Sequence, residues 1–443
     1  MTFRIRHRFP AVVAGIAGLF LTIPTGCSSG SSGTVATPGA SSGSSGGSSS
    51  GSGNPAGSGS GAFDEGGLSG SSGSGSGAPG GSSGGSSPDS GAPSTAPLDG
   101  AADADAAANI TDMEAGPAAD GYAGSGGDAA VPLNPSLLSD CTGTAPIVCT
   151  IPTPNGNYDV TAEIGSSTAA STTRTQAETW RIEQQPTMSA AGIFSQITFT
   201  VNVRAEMHGT YSAPGGVLNL LFDGAAPALH GLGFAPAPGA VTVFLAGDST
   251  VCDWDPSASN AITPPTPSIE RGWAQELSQY LRPGVAVANY AVSGQTAAGF
   301  YGSYFPPARA AMKAGDYLFI QFGHNDQKNA ANIASYKSDL TNYINDARSK
   351  MVTPVVFTPV ARGTGTNFAG LDQQARDVAA AQKVALIDLT NLSWAYYMTL
   401  VDKTVLFVPG QQTHFSESGA TQVAGIVAQA LKTSGLGLAT FIK

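Results

Sequence analysis

Basic residues are scarce in this chain of 443 residues, which carries 20 lysines and arginines against 31 aspartates and glutamates and has a formal net charge of −11. Proteins that bind nucleic acids neutralise phosphates with clustered lysines and arginines. The shortage of positive charge therefore argues against nucleic acid as a partner.

Cysteine and histidine are also rare, with four and five copies respectively. Their spacing matches no common set of metal ligands, and the sequence has no glycine-rich nucleotide loop, so we expect neither a metal ion nor another cofactor. Cys141 and Cys149 flank a short loop and could pair in an oxidising compartment. Cys252 would then be an unpaired thiol, buried or half-buried in the fold.

The apolar run near the N-terminus, residues 11–21, is too short to cross a bilayer as a helix. It follows Arg4, Arg6 and Arg8 and precedes small residues, which is the organisation of an export signal. We therefore predict a signal peptide over residues 1–26.

Cys27 directly follows this segment. Residues 23–27 resemble a bacterial lipobox, in which the cysteine is diacylated and becomes the new N-terminus, although Pro24 is unusual at its position. Ser28 would favour delivery to the outer membrane of a Gram-negative cell. We expect a cell-surface or outer-membrane lipoprotein that meets the membrane through the lipid on Cys27. The alternative is an ordinary signal peptide and a secreted protein.

Large apolar residues are nearly missing from residues 27–135, where glycine, serine, alanine and proline dominate. This stretch has ten acidic residues and no lysine or arginine. Such a composition cannot bury enough apolar surface to offset the entropy of the chain. We predict a long disordered Gly/Ser-rich tether over residues 27–135.

Apolar and polar residues alternate in residues 136–238. The apolar positions of two such runs are Tyr158, Val160, Ala162, Ile164, Ile197, Phe199, Val201 and Val203. A third run, residues 217–221, is apolar enough for a buried strand, and glycine-containing turns separate the runs. We predict a small antiparallel β-sandwich that ends at the proline-rich residues 235–239.

From residue 239 onward, short apolar strands alternate with helical spacings. The predicted strands are residues 241–246, 285–289, 317–322, 354–358 and 384–389. Two predicted helices bury Ile333, Tyr336, Leu340, Tyr343, Ile344 and Ala347, and Val423, Ile426, Val427, Ala430 and Leu431. This pattern predicts an α/β domain over residues 239–443, with a parallel sheet covered by helices on both faces.

Polar residues follow the first three predicted strands of this domain. Ser249 lies in Gly-Asp-Ser-Thr after the first strand, Gly294 follows the second, and Asn325 lies in Gly-His-Asn-Asp after the third. Sites in open parallel sheets form at the carboxyl ends of the strands. We therefore expect these residues to share one edge with His414, which precedes the last helix.

These blocks, in this order, resemble those of the SGNH or GDSL hydrolase superfamily. The chain is most similar there to rhamnogalacturonan acetylesterases, carbohydrate esterases that act on pectin, in residues 244–251 (FLAGDSTV), 315–326 (GDYLFIQFGHND) and 413–420 (THFSESGA). Residues 198–204 resemble a segment of the β domain in bacterial members. The resemblance implies a flavodoxin-like three-layer α/β/α hydrolase domain (239–443) after a β-sandwich (136–238) of the galactose-binding-like kind.

The resemblance also implies roles for the polar residues. Ser249 would be the nucleophile and His414 its base, because an imidazole accepts a hydroxyl proton near neutral pH. The backbone N–H groups of Ser249 and Gly294 and the amide of Asn325 would form the oxyanion hole. His324 is the rival base, although its place beside Asn325 better suits a hydrogen bond that orders the loop.

Other residues near these blocks have two interpretations. Asp248 and Asp326 suit turns ordered through backbone hydrogen bonds better than catalysis. Trp254 and Trp273 could stack on a sugar ring or serve packing alone.

The last block departs from the family pattern, because Gln411 stands where the superfamily has an aspartate three residues before the histidine. A glutamine oxygen can orient the imidazole but supplies no charge. Three explanations are open: a working Ser–His dyad, a carboxylate from elsewhere such as Glu417 or Asp402, or a weakened or inactive enzyme.

Three functions therefore compete. The first is removal of acetyl groups from a pectic polysaccharide by an exported monomer. The second is a general short-chain acyl esterase or a deacetylase for another glycan. The third is a non-catalytic surface protein that binds carbohydrate, in which the β domain binds glycan instead of serving as packing or a spacer.

Overall fold

A computed structural model describes residues 130–208, 211–213, 215–254 and 270–443. The predicted signal peptide, Cys27 and nearly all of the predicted tether lie outside the described residues. Within the described part, no helix combines the length and the hydropathy needed to cross a membrane.

The N-terminal part of the described chain is built from antiparallel strands. A five-stranded sheet has the order β1-β2-β9-β4-β5, a three-stranded sheet has the order β10-β3-β6, and β7 pairs with β8. The strands are β1 (Cys141–Thr142), β2 (Ile147–Pro152), β3 (Gly156–Ile164), β4 (Ser171–Ala177), β5 (Arg181–Ser189), β6 (Ser195–Val203), β7 (Glu206–His208), β8 (Tyr211–Ala213), β9 (Val217–Ala226) and β10 (Leu229–Pro236).

One apolar core joins the two larger sheets. The alternating residues predicted for β3 and β6 are all buried in it, together with Leu218, Leu220 and Phe222 of β9. Because side chains alternate between the faces of a strand, the period-two pattern places one apolar face of each sheet against the other. The predicted β-sandwich is confirmed.

Two features fasten the start of this domain. Cys141 and Cys149 face each other on β1 and β2 and form a disulfide. Before β1, the Val131 N–H donates to Thr161 Oγ1 at 2.8 Å and the Asn134 N–H donates to the Leu232 carbonyl at 2.8 Å. Hydrogen bonding to the sandwich thus includes residues that composition alone places in the tether.

The C-terminal part is a parallel sheet flanked by helices. Its strands are β11 (Val241–Gly247), β12 (Val285–Asn289), β13 (Tyr317–Gln321), β14 (Thr353–Phe357) and β15 (Ala385–Ile387), in the order β12-β11-β13-β14-β15. Its helices are α1 (Ala297–Ser303), α2 (Phe305–Ala311), α3 (Ala330–Ser349), α4 (Leu371–Gln382), α5 (Leu389–Tyr397) and α6 (Glu417–Lys432). The order 2-1-3-4-5 is that of flavodoxin-like sheets, as predicted.

The sheet has an apolar core on each face. Val243 and Leu245 of β11 belong to one core with α6, whereas Phe244 and Ala246 belong to the other with α3. Helix α3 begins where Asn329 Oδ1 caps the Ala331 N–H at 2.8 Å. The three-layer α/β/α arrangement is therefore confirmed.

Buried polar contacts join the two domains along the length of β12. Arg181 Nε donates to Asp253 Oδ2 at 2.8 Å, and Arg181 Nη1 donates to the Val287 carbonyl at 2.9 Å. The Gly284 N–H donates to Thr200 Oγ1 at 2.7 Å. A guanidinium of the sandwich thus contacts the loop that follows Ser249.

Candidate active site

Ser249 lies in a tight turn at the carboxyl end of β11. The Val251 and Cys252 N–H groups donate to the Asp248 carbonyl at 3.1 and 3.0 Å. The Asp248 carboxylate accepts from the N–H and the hydroxyl of Thr250 at 3.0 and 2.8 Å. These bonds fix the turn and hold the Ser249 backbone in place.

The hydroxyl of Ser249 meets the imidazole of His414. Ser249 Oγ lies 3.0 Å from His414 Nε2, although the two residues are far apart in sequence. His414 lies just before α6, where Ser416 Oγ caps the Gly419 N–H at 3.2 Å. The His414 side chain is 28% exposed, whereas Ser249 is 6% exposed.

Two oxygens face the other ring nitrogen of His414. Gln411 Oε1 lies 2.6 Å from His414 Nδ1, and Glu270 Oε1 lies 3.2 Å from it. Because both neighbours are acceptors, the ring proton belongs on Nδ1, which leaves Nε2 free to accept the Ser249 proton. The site thus has the geometry of a serine activated by a histidine base.

Glu270 is a site residue that the sequence did not identify. Gln411 Nε2 donates to Glu270 Oε1 at 2.6 Å, so the glutamine bridges the carboxylate and the imidazole. Burial alone would raise the pKa of Glu270, but its contacts with His414 and Gln411 outweigh burial and hold that pKa below its usual value. A carboxylate therefore lies beside His414 even though position 411 is a glutamine.

Backbone pairing brings Glu270 to the histidine. The Arg271 N–H donates to the Phe415 carbonyl at 2.9 Å, next to His414, and the Trp273 N–H donates to the Thr250 carbonyl at 3.0 Å. Between them, a side chain at Gly272 would collide with the backbone of Val251 and Cys252. Residues 271–273 therefore run between the serine turn and the histidine segment.

The two carboxylates proposed from the sequence for this role lie elsewhere, so both assignments are wrong. Glu417 pairs with Arg174 at 2.6 Å and with Arg271 at 3.2 Å. Asp402 accepts from the N–H and hydroxyl of Thr404 at 2.9 and 2.6 Å. Glu417 therefore stabilises the contact between the two domains, and Asp402 caps the short 3₁₀-helix Lys403–Leu406.

The residues expected to bind an oxyanion come together at the same sheet edge. Gly294 follows β12 with a φ of +78°, a conformation that glycine adopts without strain. Asn325 Nδ2 donates to the carbonyl of Gln295 at 3.0 Å, which joins the loops after β12 and β13. Because an amide nitrogen carries two hydrogens, the other remains available for a ligand.

His324 and Asp326 support this edge from behind. Asp326 accepts from the N–H groups of Ala297 and Gly323 at 2.8 and 3.0 Å, and burial raises its pKa to about 6. His324 is 3% exposed, with Nδ1 3.4 Å from Asp248 Oδ2. The Ser249 hydroxyl donates to His414 Nε2, whereas His324 faces Asp248 and is not the base of this pair.

The two tryptophans and the free cysteine separate into core and rim. Trp273 is fully buried and donates to Gln321 Oε1 at 3.0 Å, which excludes stacking on a sugar. Trp254 is half-buried, and its ring centroid lies 5.6 Å from that of His414. Cys252 is buried, and burial raises the pKa of its thiol, as expected for an unreactive cysteine.

A cavity of about 850 Å³ is lined by residues 407–412, together with Arg174 and Glu417. Neither Ser249 nor His414 lines it, so it is not the place where an ester would meet the serine. Across the residues that the structure covers, no three histidine, cysteine or acidic side chains converge as metal ligands would.

A flavodoxin-like sheet with a serine–histidine pair at its carboxyl edge is the architecture of an α/β ester hydrolase. Residues 245–421 match the model of the GDSL-like Lipase/Acylhydrolase family, a range that contains Ser249, Glu270 and His414. The chain belongs to this family and is a carboxylic ester hydrolase, as the sequence predicted.

Three relatives from Bacillus subtilis (strain 168) are similar to the chain. Rhamnogalacturonan acetylesterase RhgT is 33% identical over 223 residues, which cover 45% of the chain and 92% of the relative. Probable rhamnogalacturonan acetylesterase YesY is 30% identical over 215 residues, covering 44% and 94%. Uncharacterized esterase YxiM is 28% identical over 308 residues, covering 64% and 73%.

Proposed function

We propose that this protein is a serine acetylesterase that removes acetyl groups from a pectic polysaccharide of the rhamnogalacturonan type. The observation that carries the proposal is the 3.0 Å contact between Ser249 Oγ and His414 Nε2, in a ring whose Nδ1 faces the acceptor oxygens of Gln411 and Glu270. A serine attacks an ester carbonyl only when a base removes its proton, and this pair supplies both groups.

The acylation half-reaction begins with attack of Ser249 Oγ on the acetyl carbonyl. The Ser249 proton passes to His414 Nε2, and the carbonyl oxygen becomes an oxyanion bound by the Ser249 and Gly294 N–H groups and the Asn325 amide. Collapse of this intermediate breaks the bond to the sugar oxygen, which takes the proton from Nε2. An acetyl-serine remains, and the deacetylated sugar leaves.

The second half-reaction uses water in the same way. His414 Nε2 removes a proton from water, the hydroxide attacks the acetyl-serine carbonyl, and the same donors hold the second oxyanion. The proton then returns to Ser249 Oγ as acetate leaves. The enzyme is unchanged, and one water is consumed for each ester cleaved.

The polysaccharide substrate is proposed from the relatives. One of them is named a rhamnogalacturonan acetylesterase and another a probable one, and the chain covers more than nine-tenths of each. The serine and histidine recognise an ester, whereas the alcohol is recognised by the surrounding rim. A general short-chain esterase or another glycan deacetylase is the second candidate, because the serine–histidine pair acts on an ester whatever alcohol it carries.

The test measures acetate released from acetylated rhamnogalacturonan, acetylated xylan and p-nitrophenyl acetate by the full protein. Ser249→Ala is the matched inactive variant, and chemically deacetylated rhamnogalacturonan is the substrate blank. The proposal predicts release from rhamnogalacturonan that depends on Ser249 and exceeds release from xylan at equal acetyl concentration.

Each other outcome overturns part of the proposal. Equal release from both polymers, or hydrolysis of the small ester alone, would replace the pectic substrate with the second candidate. No hydrolysis of any ester, with retained binding of the polymer, would favour a carbohydrate-binding protein.

Export and lipid attachment at Cys27 are a separate proposal, supported by the basic start, the short apolar run and the lipobox-like residues 23–27. A surface anchor would hold the enzyme outside the cell, where it reaches a polysaccharide. Metabolic labelling with an alkyne fatty acid should modify the wild-type chain and not Cys27→Ser. Labelling that persists in this variant would contradict the proposal.

A further inference from the structure

We infer that Glu270 is the positioning residue that supplies the negative charge behind His414, acting with Gln411 in place of the aspartate found in related enzymes. The inference rests on the proposed function. In the usual triad one acid both fixes the histidine ring and supplies the negative charge behind it. Here Gln411 fixes the ring and Glu270 supplies the charge.

The distances assign one task to each residue. Gln411 Oε1, at 2.6 Å from His414 Nδ1, accepts the ring proton and fixes the tautomer. Glu270 Oε1 lies 3.2 Å from the same nitrogen and accepts from Gln411 Nε2 at 2.6 Å. The amide is thereby oriented with its oxygen toward the ring, because its nitrogen is held by the carboxylate.

The charge of Glu270 is free to act on the imidazole, because the neighbouring arginine is engaged elsewhere. Arg271 Nη1 donates to the Trp180 carbonyl at 2.6 Å and to Glu276 Oε1 at 3.1 Å. Arg271 Nη2 pairs with Glu417 at 3.2 Å. The imidazolium that forms during each half-reaction therefore faces the Glu270 carboxylate.

The division of tasks sets the size of the expected effect. In a serine protease triad, changing the acid to its amide lowers kcat by about 10⁴-fold through the wrong tautomer. Here Gln411 keeps the tautomer when Glu270 is neutralised, so Glu270→Gln should remove only the charge. We expect kcat to fall roughly 10- to 100-fold while KM changes little.

The experiment compares four proteins on p-nitrophenyl acetate: wild type, Glu270→Gln, Gln411→Asp combined with Glu270→Gln, and Asp402→Asn. The double variant returns a carboxylate to the position that the family pattern gives it. Asp402→Asn is the matched control, because it makes the same change near His414 in sequence while asparagine still caps the helix start.

The inference predicts low kcat for Glu270→Gln, recovery of roughly tenfold or more in the double variant, and wild-type kcat for Asp402→Asn. Recovery would show that a lost charge, and not a folding defect, caused the fall. Glu270→Gln with kcat within about threefold of wild type would overturn the inference, as would a double variant no more active than the single one. An inactive wild type that a fluorophosphonate does not label would overturn the proposed function itself.

Discussion

Arg181 Nε donates to Asp253 Oδ2 at 2.8 Å, so a side chain of the β-sandwich holds the loop that carries the proposed nucleophile. Both side chains are buried, and Asp253 Oδ1 accepts from Asn289 Nδ2 at 2.6 Å at the end of β12. The β-sandwich therefore helps to hold the active-site loop in place.

Removing this guanidinium should destabilise the protein and impair the site. In Arg181→Met, Asp253 is left as a buried charge without its partner, which costs about 3–5 kcal/mol of the free energy of unfolding. Denaturant unfolding and kcat on p-nitrophenyl acetate measure the two effects. Arg309→Met, which breaks an exposed pair with Asp346, is the control and should change both little. Equal effects of the two substitutions would contradict this account of the domain contact.

The Asn325 amide should contribute to turnover and not to ground-state binding. Asn325→Ala removes one oxyanion donor, so kcat should fall about 100- to 1000-fold with KM nearly unchanged. Steady-state kinetics on p-nitrophenyl acetate measure this. Lys328→Ala removes a neighbour that contacts Asn325 Oδ1 at 3.2 Å but leaves the amide in place, and should retain activity. A rise in KM alone would place Asn325 in substrate binding instead.

The effect of Glu270 should not depend on pH in mildly alkaline solution, where an imidazole base is unprotonated. Burial opposes ionisation, but contacts with His414 and Gln411 hold the pKa of Glu270 below its usual value, so its charge is lost only as pH falls through that lowered pKa. The ratio of kcat/KM between wild type and Glu270→Gln should be constant from about pH 8 to about pH 9.5, where an imidazole base is unprotonated in both proteins. A ratio that falls toward one within this range would contradict this ionisation state.

Most of the fold could be predicted, because β12 and β13 are apolar along their length and α3 has one apolar face. The alternation of apolar strands and helices also placed Ser249, Gly294 and Asn325 at the carboxyl edge of the sheet, since each follows a strand of a parallel sheet. These features could be predicted because they depend on the spacing of apolar residues within short segments.

Glu270 could not be predicted in this way. It reaches His414 through a single backbone pairing between Arg271 and Phe415, and no local pattern encodes that contact. Glu417 misled for the converse reason: it is close to His414 in sequence, but at the start of α6 it contacts Arg174 of the sandwich. A salt-bridge partner on another domain cannot be predicted from the residues that are close in sequence.

Asp326 should make stability depend on pH in the acidic range. Burial raises the pKa of Asp326 to about 6, so between about pH 4 and pH 6 the folded state binds a proton that the unfolded state has released. The stabilisation from this residue is therefore greatest below about pH 4 and declines as pH rises toward 6. The unfolding free energy of wild type minus that of Asp326→Asn should fall over this range. A difference that grows with pH would reverse the sign.

The most direct test of the central claim, that His414 activates Ser249 as a nucleophile, is covalent labelling by a fluorophosphonate with the modified residue located by mass spectrometry. The account predicts a single adduct on Ser249, none at any site in Ser249→Ala, and much slower labelling of Ser249 in His414→Ala. Labelling of another serine, or labelling of Ser249 at an unchanged rate without His414, would contradict it.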